Sequence, residues 1–304
     1  MTPPIPKQGR TWLVPLLCLL ATGMLLGCIT NMAKLAGDAG LSPVSFLAWS
    51  VSGGALILLA LNTMRRRLPR LNRRSLEYFL IAGLISIAAP NLILFAAVPH
   101  VGVSFVALAV AFPPLLTYIG ALAMGMEQYS HRRAAGVLLA LSGAAYLAML
   151  KLQAPDAPTL WIIATLFGPV LLAIGNIYRS IRWPEGARPD ELAPGMLGAA
   201  GLMLLVFGLL PGSTLGVPDT TDLPLILIAA QSVLFALQYF LFFILQKTGG
   251  PVYLSLMGSV AAVFGVPIAV FLLGETPPDG LFIGAALIAS GIWFVTRGAA
   301  RIAD

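Results

Sequence analysis

Ten long apolar runs constrain the fold of this chain more than any other feature. A helix that crosses a hydrocarbon layer of about 30 Å needs roughly 20 predominantly apolar residues. Charged residues make up only 10% of the chain, whereas soluble domains carry about 25%. The runs therefore predict an all-α, polytopic membrane protein with ten transmembrane helices. The predicted spans are 12–34, 43–64, 75–98, 102–125, 132–150, 159–181, 191–210, 222–246, 250–273 and 278–297.

The distribution of Lys and Arg predicts the orientation, because cations in short loops stay on the cytoplasmic side of a membrane. If the N-terminus is inside, all but two of the 18 cations fall in cytoplasmic segments. The exceptions are Lys34 and Lys151. An even number of spans then places both termini in the cytoplasm. The net charge of +6 reflects this topology, so we expect contact with the lipid bilayer and no binding of nucleic acid.

The first apolar run has an alternative interpretation as a cleaved secretory signal. It follows Lys7 and Arg10 and ends in small residues. However, the run is longer than the apolar part of a typical signal, and the internal repeat requires it as a first helix. We expect it to be retained as a transmembrane helix.

The chain repeats itself with an offset of 148 residues. The two halves therefore hold five helices each, over 12–150 and 151–298, between cytoplasmic tails at 1–11 and 299–304. Since five is odd, the second half enters the membrane from the opposite side, and such an inverted repeat suits a transporter with two near-equivalent states. An offset of 145 also pairs Asn31 with Asn176. Pairs at an offset of 148 are Phe95 with Phe243, Gly102 with Gly250, Glu127 with Glu275, Gly136 with Gly284 and Gly143 with Gly291.

Both halves of the chain resemble a known family in a set of polar residues, prolines and glycines. These residues are similar to the EamA-type repeat of the drug/metabolite transporter superfamily. The resemblance implies a substrate cavity between the first four helices of each unit, with the fifth and tenth helices at the periphery. Within the superfamily the chain is most similar to bacterial YddG-type exporters of aromatic amino acids, which implies an exporter in the bacterial inner membrane. The residues are Asn91, Ser104, Pro114, Glu127, Gly136 and Gly143, echoed by Tyr253, Pro267, Gly274, Glu275, Gly284 and Gly291.

The positions of the charged residues bear on the substrate. Every Asp, Glu, Lys and Arg lies at or near the end of a predicted span, although deep ionisable groups usually mark ion or substrate pathways. A site for cationic drugs would need a carboxylate at mid-membrane, and a site for nucleotide sugars would need deep Lys or Arg for phosphate. We therefore expect a neutral or zwitterionic substrate, above all an aromatic amino acid. Export of quaternary amines or of another metabolite is the alternative.

Uncharged polar residues at mid-depth are the candidates for substrate binding. Gln231 and Gln238 are seven residues apart and so share one helix face. Amides and phenols can bind an ammonium or a carboxylate, while aromatic rings pack against an apolar side chain. The alternative is that the amides hold neighbouring helices together. The predicted substrate-binding residues are Asn31, Asn91, Asn176, Gln231, Phe235, Gln238, Tyr239 and Phe242.

Prolines within the spans are candidate hinges for alternating access. Each proline removes a backbone donor and frees a carbonyl, which a membrane helix tolerates beside a cavity, a neighbour or water; a static kink is the alternative. Because no deep carboxylate can carry a proton, facilitated movement is favoured over proton coupling. His100 is the possible protonatable exception. The predicted hinge residues are Pro90, Pro113, Pro114, Pro169 and Pro267.

Signatures of enzymes are missing from the sequence. It contains neither a His-Glu-x-x-His run nor a Gly-x-Ser-x-Gly elbow, and His100 and His131 lie at opposite ends of spans. We expect no enzymatic activity, no cofactor and no metal, with an intramembrane enzyme as the remote alternative. A small molecule is the expected partner, and a monomer or weak homodimer the expected assembly.

Overall fold

The computed structural model describes residues 13–69, 71–110, 112–152, 159–219, 221–274, 276 and 280–300. Every regular element within these ranges is helical, which confirms the all-α prediction. Two π-helical turns, π1 and π2, interrupt the α-helices. The elements are α1 (Leu13–Asp38), α2 (Pro43–Met64), α3 (Arg73–Gly83), π1 (Leu84–Ala88), α4 (Ala89–Val101), α5 (Val103–Ala109), α6 (Pro113–Ala123), α7 (His131–Leu152), α8 (Thr159–Ile181), α9 (Pro189–Gly208), α10 (Leu223–Ser255), α11 (Met257–Pro267), π2 (Ile268–Leu272) and α12 (Leu281–Ala300).

Six helical segments of the described chain are long and apolar enough to cross a membrane. The predicted spans at 102–125, 132–150 and 278–297 fall on α5 with α6, on α7 and on α12, which are not in this set. The predicted span at 250–273 begins in the last residues of α10 and continues over α11 and π2. Large apolar side chains such as Leu56, Leu202 and Phe282 are exposed, as the surface of a membrane protein requires. The six segments are Leu13–Asp38, Pro43–Met64, Arg73–Val101, Thr159–Ile181, Pro189–Gly208 and Leu223–Ser255.

Polar caps define where two of the membrane-sized segments begin. The Ser42 hydroxyl accepts a hydrogen bond from the Ser45 amide at 3.0 Å, directly before Pro43 at the first position of α2. The Asn72 side chain accepts from the Ser75 amide at 2.8 Å before α3. Both contacts satisfy amides that have no partner within the helix.

Two breaks in the helices follow the internal repeat. Gly102, between α4 and α5, has a φ of 84°, and Gly250, within α10, has a φ of 73°. This left-handed backbone is easily accessible only to glycine. The two glycines are equivalent at the offset of 148 residues, so each half breaks its helix at the same place in the repeat.

Prolines lie beside both π-helical turns. Pro90 follows π1 and Pro267 precedes π2, and a proline cannot donate a helical hydrogen bond. π-helical turns are rare in proteins, and those that occur are often found at functional sites. Ser86 in π1 lines a narrow cavity between the two halves of the chain.

Small residues bring α1 close to α11. A Cβ atom on Gly27 would lie 2.9 Å from the Ala261 carbonyl oxygen and 3.0 Å from the Gly265 amide nitrogen. One turn later, Asn31 donates hydrogen bonds to the carbonyl of Gly27 at 2.8 Å and to that of Gly265 at 2.9 Å. The close approach and the interhelical bond together join the two halves of the chain.

Helices α7 and α12 pack mainly against each other, with few contacts to the rest of the fold. By contrast, α2 packs against α9 and α10, while α1 packs against α10 and α11. The interior is therefore enclosed by elements other than α7 and α12.

Candidate functional site: a cavity between the two halves

A narrow cavity lies between the two halves of the chain. The first half contributes α1, π1, α4, α5 and α6 to its wall, and the second half contributes α8, α10 and α11. The cavity has a volume of about 50 Å³, which is room for about three to five water molecules. Pockets for small-molecule ligands measure about 300–1,000 Å³, so the walls must separate to admit a metabolite.

The structure brings five of the eight predicted binding residues to this cavity. Two of the predicted hinge residues, Pro90 and Pro113, also line it. The rest of the wall is largely apolar, with Leu94, Phe95 and Leu254 among its members. The five predicted binding residues are Asn91, Asn176, Gln238, Tyr239 and Phe242.

Asn91 and Tyr239, which are equivalent in the repeat, both line the cavity. The Asn91 side chain donates a hydrogen bond to the Ile87 carbonyl at 2.7 Å. The Tyr239 ring lies 5.3 Å from the ring of Phe242. This pair therefore presents an amide from α4 and a phenol from α10 to the same cavity.

Gln238 presents a polar atom without a partner. Its side chain is only 2% exposed, and its amide nitrogen lies 3.9 Å from the Met257 sulfur, which is a weak acceptor. The carbonyl oxygen of the Gln238 side chain has no hydrogen-bond partner among the described residues. Because unsatisfied buried acceptors are costly, this oxygen is ready to accept a donor from a ligand.

Arg179 lines the cavity, although the sequence placed it among the cytoplasmic cations. Its side chain is 1% exposed, and its guanidinium carbon lies 4.6 Å from the centre of the Phe242 ring. The sequence held one signal of this position: Arg179 follows Asn176 by three residues, and residues three apart share a helix face. A charge at the end of a helix can therefore still face the interior.

Three hydrogen bonds hold the Arg179 guanidinium. Nε donates to Gln246 Oε1 at 3.1 Å, Nη2 donates to Asn176 Oδ1 at 2.6 Å, and Nη1 donates to the hydroxyl of Ser86. Gly175 makes room for this arrangement, since a Cβ atom there would lie 3.1 Å from Nη1. Arg179 is the only charged side chain in the described wall.

The other three predicted binding residues lie in contacts between helices. Asn31 joins α1 to α11, and Gln231 points its amide nitrogen at the Ile29 carbonyl of α1, 3.5 Å away. Phe235 packs beside Gly54 of α2 and Tyr239. These residues are not among those that line the cavity.

The remaining hinge candidates and His100 also lie outside the cavity wall. Pro114 and Pro169 are buried, whereas Pro267 is exposed at the end of α11. The exposed His100 ring stacks on Trp161, with 4.2 Å between ring centres. Glu275, which the repeat pairs with Glu127, lies outside the described residues. Within the described ranges, no group of three or more His, Cys, Asp or Glu could hold a metal ion.

Two further cavities lie toward the opposite ends of the Arg73–Val101 segment. The tyrosine vestibule, of about 330 Å³, includes Tyr78 and Tyr178, whose stacked rings lie 6.2 Å apart. The lysine vestibule, of about 410 Å³, includes Lys34 and Val98. Since Tyr78 and Val98 are 20 residues apart, a helix separates them by about 30 Å. The narrow cavity, lined by Ser86, Asn91 and Leu94 of the same segment, lies between the two vestibules.

Comparisons with known proteins agree with this architecture. The EamA-like transporter family matches the chain twice, over residues 13–149 and 159–297. A solved crystal structure superposes with a TM-score of 0.70 at 18% sequence identity, covering 98% of this chain and 100% of the other. That likeness concerns the fold alone. No curated protein matches the sequence significantly.

Proposed function

The chain belongs to the EamA-like transporter family, and on this premise we propose that it moves small zwitterionic metabolites, above all aromatic amino acids, out of the cell. Membership makes it a multi-pass membrane transporter of the drug/metabolite transporter superfamily. The single observation that carries the substrate class is the narrow cavity between the halves, whose wall combines polar groups and one cation with apolar surface. The narrower resemblance to aromatic amino-acid exporters supports the choice of cargo.

We propose that all ten predicted spans cross the membrane as two inverted five-helix units. Four spans would then be built from α5 with α6, from α7, from residues 251–272 and from α12. The equivalent breaks at Gly102 and Gly250 support this arrangement, because they divide both halves in the same way. The charge distribution supports cytoplasmic termini, and the resemblance supports the bacterial inner membrane.

Transport is proposed to follow alternating access, with the halves moving so that the cavity joins one vestibule at a time. Tyr78 and Tyr178 stack beside the first vestibule, and Tyr178 directly precedes Arg179 of the cavity wall. Separation of these rings would open the cavity on that side. Pro90 and Pro113, in the wall itself, are the proposed hinges.

The charge of the wall argues against the alternative cargo of quaternary amines. Arg179 is cationic, and none of the described wall residues is acidic. A permanent cation would therefore meet a like charge in a medium of low dielectric constant, where repulsion is strong. A zwitterion presents a group of each sign and avoids this cost.

Counterflow in proteoliposomes tests the proposed function. Vesicles with purified full-length protein are preloaded with unlabelled phenylalanine and assayed for uptake of labelled phenylalanine, with tetraethylammonium and uridine as competitors. We expect uptake above that of protein-free vesicles and competition by tryptophan, but not by the other two compounds. Uptake inhibited by tetraethylammonium, or no counterflow of any amino acid tried, would contradict the proposal.

Two matched variants of α10 connect transport to the cavity. Gln238→Met removes a polar side chain from the wall, whereas Gln231→Met removes one seven residues away that is absent from the wall. We expect the first variant to lose most phenylalanine counterflow and the second to retain it. Equal effects of both would contradict the assignment of the cavity.

We propose facilitated movement without proton coupling. His100 is exposed and stacked on Trp161, and the described wall holds no carboxylate or histidine. Net phenylalanine efflux down its concentration gradient should therefore change the internal pH of the vesicles by nothing measurable and should need no imposed pH gradient. Phenylalanine flux that requires such a gradient would refute facilitated movement while leaving the cargo in place.

A further inference from the structure

The buried cation in the cavity wall lacks an opposite charge. Among the described residues, no carboxylate oxygen lies within 4.0 Å of the Arg179 guanidinium; its partners are the neutral groups of Ser86, Asn176 and Gln246. Buried charges in proteins are usually paired, because removing an ion from water is expensive. The missing counter-charge points to an anion that arrives with the ligand.

The hydrogen bonds of Arg179 with the described residues leave two of its N–H donors unused. A guanidinium has five N–H donors, one on Nε and two on each terminal nitrogen. Each of its three nitrogens makes one bond to the protein, so one donor on Nη1 and one on Nη2 remain. A carboxylate has two oxygens that can accept from donors on these two terminal nitrogens, as in other arginine–carboxylate pairs.

The orientation of the guanidinium is fixed before any ligand binds. Gln246, which accepts from Nε, also donates to the Ser180 hydroxyl at 3.2 Å. The Phe242 ring covers the guanidinium at 4.6 Å, and a cation over an aromatic face is stabilised. Because Arg179 is thus held from α8, π1 and α10, binding an anion requires little reordering of the side chain.

A second unsatisfied group lies one helical turn away from this contact. Gln238 precedes Phe242 by four residues on α10, about 6 Å along the helix axis. Its side-chain carbonyl oxygen has no partner among the described residues, and such an oxygen accepts a hydrogen bond from an ammonium. The cavity therefore holds separate groups for the carboxylate and for the ammonium of an α-amino acid.

We propose that Arg179 is the carboxylate anchor of the transporter and that Gln238 receives the ammonium, so that the substrate class is the α-amino monocarboxylates. This inference rests on the proposed transport function and adds the group that the cargo must carry. A single cation in an otherwise uncharged wall balances one negative charge. A phosphate dianion would leave a buried charge unpaired, which disfavours phosphorylated metabolites.

Four probes with one aromatic side chain test the anchor on the wild-type protein. They are phenylalanine, phenylalaninamide without the carboxylate charge, phenethylamine without the carboxylate, and 3-phenylpropionate without the ammonium. Binding to purified full-length protein is measured by calorimetry. We expect phenylalanine to bind tightest and 3-phenylpropionate to bind about tenfold more weakly. Phenylalaninamide and phenethylamine should bind at least about tenfold, and up to about a hundredfold, more weakly than phenylalanine. Binding of phenylalaninamide within threefold of phenylalanine, or binding of none of the four, would overturn the proposal.

Variants of Arg179 and of Arg182, which lies just beyond the end of α8, provide the matched control. Arg179→Lys keeps the charge but loses the planar fork, and Arg179→Gln loses both. Arg182→Gln removes an exposed cation three residues later. We expect phenylalanine affinity to fall about tenfold in the first variant, further in the second, and by less than twofold in the third. Equal loss in Arg182→Gln would overturn the anchor; if the Arg179 variants do not fold, the wild-type probe series decides.

Transport of the same probes separates this inference from the proposed function. Counterflow of phenylalanine together with equal binding of its amide would overturn the anchor and leave the transporter intact. Selective binding of carboxylates without counterflow of any of them would overturn the transport function and leave the binding site. Inhibition of phenylalanine binding by 150 mM chloride as strongly as by 3-phenylpropionate would identify an inorganic anion site and overturn the carboxylate assignment.

Discussion

Replacement of Gly27 by alanine should separate α1 from α11. A Cβ atom at this position would meet the carbonyl oxygen of Ala261 at 2.9 Å and the backbone nitrogen of Gly265 at 3.0 Å. Backbone atoms cannot rotate away as the end of a side chain can, so the two helices must move apart. The adjacent hydrogen bond from Asn31 to the Gly265 carbonyl, at 2.9 Å, would lengthen with them.

The magnitude follows from three terms. Overpacking in a well-packed contact costs about 1–3 kcal/mol, and a polar contact between membrane helices contributes about 0.6 kcal/mol. Replacing a glycine inside a helix by alanine raises the free energy of unfolding by about 0.5–1 kcal/mol. Gly27→Ala should therefore lower the free energy of unfolding by about 0.6–3.1 kcal/mol.

Gly198 in the interior of α9 is the matched control, because a Cβ atom there would meet no atom within 4 Å. Gly198→Ala should gain only the helical term, which leaves a gap of about 1.6–3.6 kcal/mol between the variants. At roughly 2 °C per kcal/mol for a large domain, their apparent melting temperatures in one detergent and at one scan rate should differ by about 3–7 °C. A Gly27→Ala protein that melts at or above Gly198→Ala would refute the packing argument.

Two further predictions concern the Arg179 contact and the route to the cavity. Ser86→Ala should leave a guanidinium donor unsatisfied and lower the free energy of unfolding by about 1–3 kcal/mol, measured by thermal melting. Ser50→Ala removes a buried hydroxyl without a hydrogen-bond partner in the described chain, so its stability should equal or exceed that of the wild-type protein. If Ser50→Ala were less stable than Ser86→Ala, the hydrogen bonds assigned to Arg179 would be contradicted. Tyr178→Ala should speed maleimide labelling of Leu94→Cys in a background without native cysteines, by removing one of the two stacked rings. An unchanged labelling rate would exclude that ring as a barrier.

The equivalence of Asn91 and Tyr239 in the repeat was the reason to group these two residues in the predicted cavity. Both lie on spans that face the interface of the halves, and the structure places both in the wall. The seven-residue spacing of the two glutamines of α10 did not predict the position of Gln231. Gln231 and Gln238 share a face of α10, but α1 contacts that face near Gln231 and leaves only Gln238 beside the cavity. Spacing along one helix does not reveal where a crossing helix covers it.

Arg179 shows the limit of assigning depth from helix ends. The residue lies two positions before the end of α8, so its place along the chain suggests an interfacial position. Its long side chain instead reaches π1 and α10, where Ser86 and Gln246 accept its hydrogen bonds. The tertiary arrangement of these three elements shows that this cation is buried.

The sequence alone determined the environment of this protein and its twofold plan. Lipid offers no hydrogen bonds to the backbone, so long apolar runs must be helical, and a repeat of apolar pattern and glycine positions implies a repeat of structure. The tertiary structure alone decided which polar groups meet. That outcome depends on how closely helices approach, as at Gly27 and Gly265, and on how each helix is rotated toward its neighbours. These contacts join residues far apart in the chain, and no local pattern encodes them.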